Sequence, residues 1–88
     1  MTDRILFELA DGWALGHDKQ QWMLMRAAKL RGEDIWQPVS FIGSEKRILE
    51  RCMLENGVHP TSMAQAMLDA LPNHFSEWKL LLTGEVAP

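Results

Sequence analysis

The sequence predicts an α+β fold: an antiparallel β-meander of three to four strands, followed by two to three α-helices packed on one face. Three observations carry this. Up to Ile42, short apolar runs at strand spacing are separated by turn residues such as Asp11-Gly12. After Gly43 the apolar spacing becomes helical, with capping residues before the runs and Gly or Pro after them. The strands come first and the helices after, which is the order of an α+β domain.

In Arg4–Ala10, Ile5, Phe7 and Leu9 alternate with Arg4, Leu6 and Glu8, giving a short strand with one mostly apolar face. Asp11-Gly12 is a tight-turn signal, because Gly reaches positive φ without a steric cost. Trp13-Ala14-Leu15 reads as the returning strand and Gly16-His17-Asp18-Lys19 as the next turn. Gln21–Ala27 is apolar on both faces, with Trp22 and Leu24 on one and Met23, Met25 and Ala27 on the other. Such a strand is central, or covered on both sides. Residues 28–34 are polar and charged around Gly32 and read as a hairpin loop. Ile35–Ile42 is the next strand, and Pro38, which lacks a backbone donor, places it at an edge or interrupts it.

Ser44 reads as the N-cap of a helix that runs to about Asn56, with Gly57 in the left-handed position after its end. Ile48, Leu49, Cys52 and Met53 form its apolar face, opposite Lys46, Arg47, Glu50, Arg51 and Glu55. Thr61 or Ser62 caps a second helix, and Ser62 with Gln65 has capping-box spacing. Its apolar face is Ala64, Met67, Leu68 and Leu71, and Pro72 ends it. Asn73 caps a last helix carrying Phe75, Trp78 and Leu82 on one side, broadened by Leu80 and Leu81, with Thr83-Gly84 as its stop. Residues 1–84 are expected to form one domain and 85–88 a flexible tail.

The single cysteine, Cys52, excludes an internal disulfide and fits a reducing cytoplasm. The N-terminal segment has no signal-peptide pattern, and no run of apolar residues is long enough to span a membrane. Net charge is −3, but it is unevenly spread. Residues 19–51 hold seven basic and four acidic side chains (+3), and the remainder holds two basic and eight acidic ones (−6). The acidic set is Asp3, Glu8, Asp11, Asp18, Glu55, Asp69, Glu77 and Glu85, which could present an acidic face to a basic partner.

No pattern points to catalysis. Cys52 lies on an apolar helix face without a neighbouring base. His17, His59 and His74 are scattered and lack metal-ligand spacing. Glu33-Asp34 falls in the charged hairpin, and no phosphate-binding glycine loop or Gly-x-Ser-x-Gly motif occurs. A non-enzymatic protein without cofactor or metal is expected. The candidate contact set for a protein partner is Trp22, Met23, Met25, Arg26, Lys29, Arg31, Glu33, Asp34 and Trp36. Its alternative is a nucleic-acid surface built from Lys29, Arg31, Lys46, Arg47 and Arg51, with tryptophans for stacking. If the helices cover only the Trp22/Leu24 face, the face with Met23 and Met25 needs a second cover, either another copy or a target.

Gln21-Trp22…Leu24, a charged hairpin, and Trp36…Phe41…Ser44…Lys46…Leu49 together form a pattern that resembles small proteins encoded in bacteriophages and prophages. The later LDALPNHFSEW is similar to tails of proteobacterial members of that group, and the likeness covers residues 13–78. The resemblance implies an accessory protein of the bacterial host cytoplasm that binds a host protein complex stoichiometrically, as inhibitor or adaptor. Anti-CRISPR proteins share this size and α+β style. The resemblance carries over no functional residue.

Overall fold

The computed structural model describes residues 5–83, with side chains through residue 80. The expected tail at 85–88, Gly84 of the helix stop, and the faces of Leu81 and Leu82 lie outside the described residues. Four strands, β1 (Ile5–Ala10), β2 (Trp13–His17), β3 (Trp22–Leu30) and β4 (Glu33–Ile42), precede three helices, α1 (Lys46–Glu55), α2 (Ser62–Ala70) and α3 (Phe75–Thr83). The strands form one antiparallel sheet in the order β1-β2-β3-β4, so β3 is internal, as its two apolar faces require. No helix among the described residues is long and apolar enough to cross a membrane.

Asp11-Gly12 closes the first hairpin, with Gly12 at φ 83°. Asp18 closes the second: its carboxylate accepts from the backbone N–H of Gln20 (2.7 Å) and Gln21 (3.0 Å) and from Gln21 Nε2 (3.0 Å). The third hairpin departs from the expected loop over 28–34. Strand pairing continues through Lys29↔Asp34 to Leu30↔Glu33, and the loop is only Arg31-Gly32. Both residues take positive φ, 54° and 83°, the signature of the turn type that matches strand twist. Lys29 Nζ lies 3.1 Å from Asp34 Oδ1, so these charges belong to a cross-strand pair. The last β2 partner of β3 is Arg26, opposite Trp13, with one further bond from Ala27 N–H to the Gly12 carbonyl (2.8 Å). Beyond it the hairpin continues as a two-stranded arm, and the molecule is elongated, 48 × 27 × 20 Å.

The helices pack on one face of the sheet. Leu9, Leu15, Trp22, Leu24 and Ile42 meet Leu49 and Met53 of α1, Val58 of the segment after it, Ala64 and Leu68 of α2, and Phe75 of α3. Trp22 is wholly buried and stands edge-to-face with Phe75 (centroids 5.5 Å, 88°), with Trp78 at 6.2 Å. Its indole N–H has no hydrogen-bond partner among the described residues. That costs about 1–3 kcal/mol, offset by aromatic pairs worth about 0.5–1.5 kcal/mol each beyond their burial.

Backbone bonds fix the helix positions. Lys46 N–H donates to Asn73 O (2.7 Å) and Phe75 N–H to Ser44 O (2.9 Å), clipping the start of α1 to the start of α3. This corrects Ser44 as N-cap. The helix begins one residue later, after Glu45, whose side chain makes no capping bond, and the Ser44 carbonyl serves the clip instead. α2 is capped by Thr61, whose Oγ1 accepts from Ala64 N–H (3.1 Å), while Thr61 N–H donates to Leu9 O (2.9 Å) on the β1 edge. The Ser62–Gln65 capping box does not form; Gln65 Nε2 donates to Asp69 instead. Only a narrow stripe of α2, Ala64 and Leu68, is buried against the sheet, so Met67, expected inside, is exposed.

α1 ends as expected at Gly57 (φ 70°), with Gly57 N–H on Leu54 O (3.1 Å) and Val58 N–H on Met53 O (2.8 Å). A Cβ at Gly57 meets no neighbouring atom, so the penalty of substitution is purely conformational. Gly57→Ala is expected to lower unfolding free energy by about 1 kcal/mol. Gly43→Ala, at ordinary φ with only Gln20 O at 3.9 Å, is expected to be near neutral. Urea denaturation of the two variants side by side checks this, and equal losses would refute it.

Candidate protein-binding face

Strand register sorts every β3 side chain onto one face or the other. Trp22 and Leu24 point to the helices. Their neighbours point away: Met23 between Gly16 and Phe41, Met25 between Ala14 and Pro38, Ala27 opposite Trp36, and Lys29 opposite Asp34. The three helices all pack on the Trp22/Leu24 side, so among the described residues no helix covers this second face. Ala14, Gly16 and Met25 on this face are buried. The exposed apolar surface is therefore concentrated on the β3–β4 hairpin, where Phe41 is 58% exposed, Met23 and Trp36 are half-buried, and Ala27 and Pro38 are exposed.

A register shift brings Trp36 and Phe41 together. They are five residues apart, and simple alternation would place them on opposite faces. Between Leu24↔Ser40 and Met25↔Pro38 the pairing slips by one, leaving Val39 unpaired. Trp36 and Phe41 thus oppose Ala27 and Met23, four residues apart on the same face. Sequence reasoning found Met23, Met25 and Trp36 but assigned no contact role to Phe41 or Pro38.

The candidate contact set divides accordingly. Met23, Met25, Trp36, Lys29 and Asp34 share the open face. Trp22 does not belong to the set, because its side chain is wholly inside the core. Arg26 and Glu33 lie on the helix side of the hairpin and Arg31 at its apex, all exposed.

The five residues of the nucleic-acid alternative do not form one cluster. Lys29 and Arg31 are at the arm tip, whereas α1 begins beyond the other end of β4, about 30 Å away at strand rise. Lys46 reaches α2, where Nζ donates to the carbonyls of Leu68 (3.0 Å) and Leu71 (2.9 Å) and neutralises that helix's negative end. This corrects its place on the solvated face of α1. Arg47 donates to Glu45, and Arg51 lies 3.7 Å from Glu55. Hydrogen bonding and charge from Arg47, with a smaller contribution from His74, hold the Glu45 carboxyl below its usual range, and Glu45 in turn raises Arg47.

The remaining candidates for chemistry are spread out. Cys52 is partly buried against the core. His17 packs edge-on to Trp78 (4.9 Å), and His74 lies 3.6 Å from both Glu45 and Glu77. Among the described residues, no three His, Cys, Asp or Glu side chains gather in a metal-binding group. Clefts of about 360 Å³ and 250 Å³ flank α2, the first lined by Phe7, Met63 and Met67 with Glu8 and Asp11 at hand, the second by Met53, Leu54 and Val58. No family model, curated protein or solved structure matches the chain.

Two outcomes test the charge assignments. Lys46→Met is expected to cost about 2 kcal/mol of stability by removing two charge-assisted bonds, and Lys29→Met, at an exposed pair, under about 1 kcal/mol; urea unfolding compares them. Arg47→Ala is expected to raise the Glu45 pKa, read by carboxyl ¹³C titration. Because the folded-state value is depressed, the stabilisation is present at neutral pH and disappears as pH falls through the range where Glu45 protonates. An unchanged titration curve would rule out Arg47 as the cause.

Proposed function

We propose that this chain is a non-enzymatic binding protein, acting by stoichiometric association through the open face of the β3–β4 hairpin. One observation carries the reading: an internal strand is apolar on both faces, and the helices cover only one. An apolar surface running from Phe41 to Trp36, with a charged pair beyond Trp36, has the make-up of a contact surface, with aromatic and methionine anchors and charges at the rim. The resemblance to phage and prophage accessory proteins supports a bacterial host complex as the target, inhibited or adapted by occupancy, with anti-CRISPR action one form of this. The location in the host cytoplasm belongs to the same proposal.

The test compares capture from a bacterial lysate by the wild-type chain, Phe41→Glu, and Leu54→Glu. Leu54 is 74% exposed on α1, away from the face, so its variant controls for added charge. The wild-type chain and Leu54→Glu are expected to retain the same specific complex, and Phe41→Glu to lose at least about 90% of it, as burying one unpaired charge at a contact predicts. Equal retention by all three chains would remove the face from the function.

A further inference from the structure

We infer that, when no target is bound, a second copy of this chain covers the open face, the two β3–β4 hairpins stacking face to face about a two-fold axis parallel to their strands. The inference rests on the reading of this face as a binding surface and names what occupies it.

Three features point to a copy of the chain. The first is the chemistry of the strip. From Met23 and Phe41 to Ala27 and Trp36 it carries no charged side chain. Depletion of charge at the centre and a high apolar share are features of interfaces between identical subunits.

The second is the placement of its only charges. Lys29 and Asp34 sit side by side on the same face at the arm, one on each strand. An isologous contact sets each patch against itself. A two-fold axis running between β3 and β4 sets β3 of one copy over β4 of the other. Lys29 then faces the second copy's Asp34, and Asp34 its Lys29, at both arms simultaneously. Sheets related in this way pack aligned, the common arrangement for stacked antiparallel sheets.

The third is area. The hairpin strip is about 30 Å long, from ten residues of β4 at strand rise, and about 10 Å wide. Stable interfaces begin at about 600 Å² of accessible surface from each partner. The strip is about 300 Å² in plan, half of this, so a stable contact needs the whole hairpin, arm included, with the relief of its side chains supplying the rest. The arm needs such a contact, because past Ala27 it is a two-stranded ribbon, which is marginal alone in water. The edges offer no equal route. β4 carries Pro38 and the unpaired Val39, and β1 is irregular at two places with Leu9 O already accepting from Thr61.

Sedimentation equilibrium tests the inference. The chain is 10.1 kDa, so a dimer is 2 × 10.1 = 20.2 kDa. At about 100 µM the wild-type chain and Leu54→Glu are expected at the dimer mass, and Phe41→Glu and Met23→Lys at the monomer mass with unchanged circular dichroism; Phe41→Ser, which adds no charge, is expected to weaken association at least about tenfold. Charge placement has its own test. Lys29→Asp puts two acids on one arm, and Asp34→Lys puts two lysines on the other; each alone is expected to associate less than wild type, and the two mixed to form a heterodimer.

A wild-type monomer at every concentration overturns the inference. If Phe41 and Met23 of that monomer are also labelled rapidly by hydroxyl radicals, the face stays open and the target-binding reading stands. Slow labelling would remove both. A dimer that persists in Phe41→Glu and Met23→Lys also overturns the inference. A dimer lost in those variants while lysate capture by Phe41→Glu equals wild type supports self-pairing and removes the target reading alone.

Discussion

The structure depends on the helices closing over Trp22. The indole is the largest fully buried side chain among the described residues, packed against Phe75 and Trp78 of α3, and this contact draws α3 back to the middle of the sheet. The clip between residues 44–46 and 73–75 then ties the start of α1 to the start of α3, and Thr61 ties α2 to β1. With all three helices committed to one side, no helix among the described residues is left for the other. The apolar second face of β3 follows from that allocation.

The same allocation explains why the sheet presents a face rather than an edge. An open antiparallel sheet grows most readily at unpaired edges. Here β1 has lost regular pairing at Leu6 and Leu9, and its Leu9 carbonyl serves the α2 N-terminus. β4 lacks a donor at Pro38 and is offset at Val39. The slip at Val39 has two consequences. It interrupts edge growth, and it turns Trp36 onto the face that Phe41 occupies, so a feature that protects one surface assembles the other.

Much of the fold was legible because local chemistry decided it. Asp11-Gly12, Pro38 on an edge, Gly57 after α1 and the doubly apolar β3 all act through backbone preference or alternation, which a short window of sequence contains. The arm was not. Its charged residues look like a loop, and only the cross-strand partnership of Lys29 with Asp34 makes them a strand. Arg31 at positive φ is likewise atypical for its residue type. Phe41 escaped notice because one unpaired residue inverts the alternation count, and a slip of that kind is set by the partner strand. Lys46 was misplaced for a similar reason: its partners are carbonyls 22 and 25 residues later, brought near only by packing.

These displacements change what the charge pattern means. The basic block of residues 19–51 first suggests an electrostatic surface, yet four of its members have internal duties. Lys46 neutralises the end of α2, Arg47 holds Glu45, Arg51 meets Glu55, and Lys29 meets Asp34. A cation already paired with a carboxylate or a carbonyl has less to gain from a phosphate, because the new contact must break the old one. The exposed apolar side chains of the hairpin carry no such prior commitment: each gains free energy on leaving water, at about 25 cal/mol per Å². In the proposed association, Phe41, Trp36 and Met23 therefore supply the strength, and Lys29 and Asp34 on the same face of the hairpin supply the orientation.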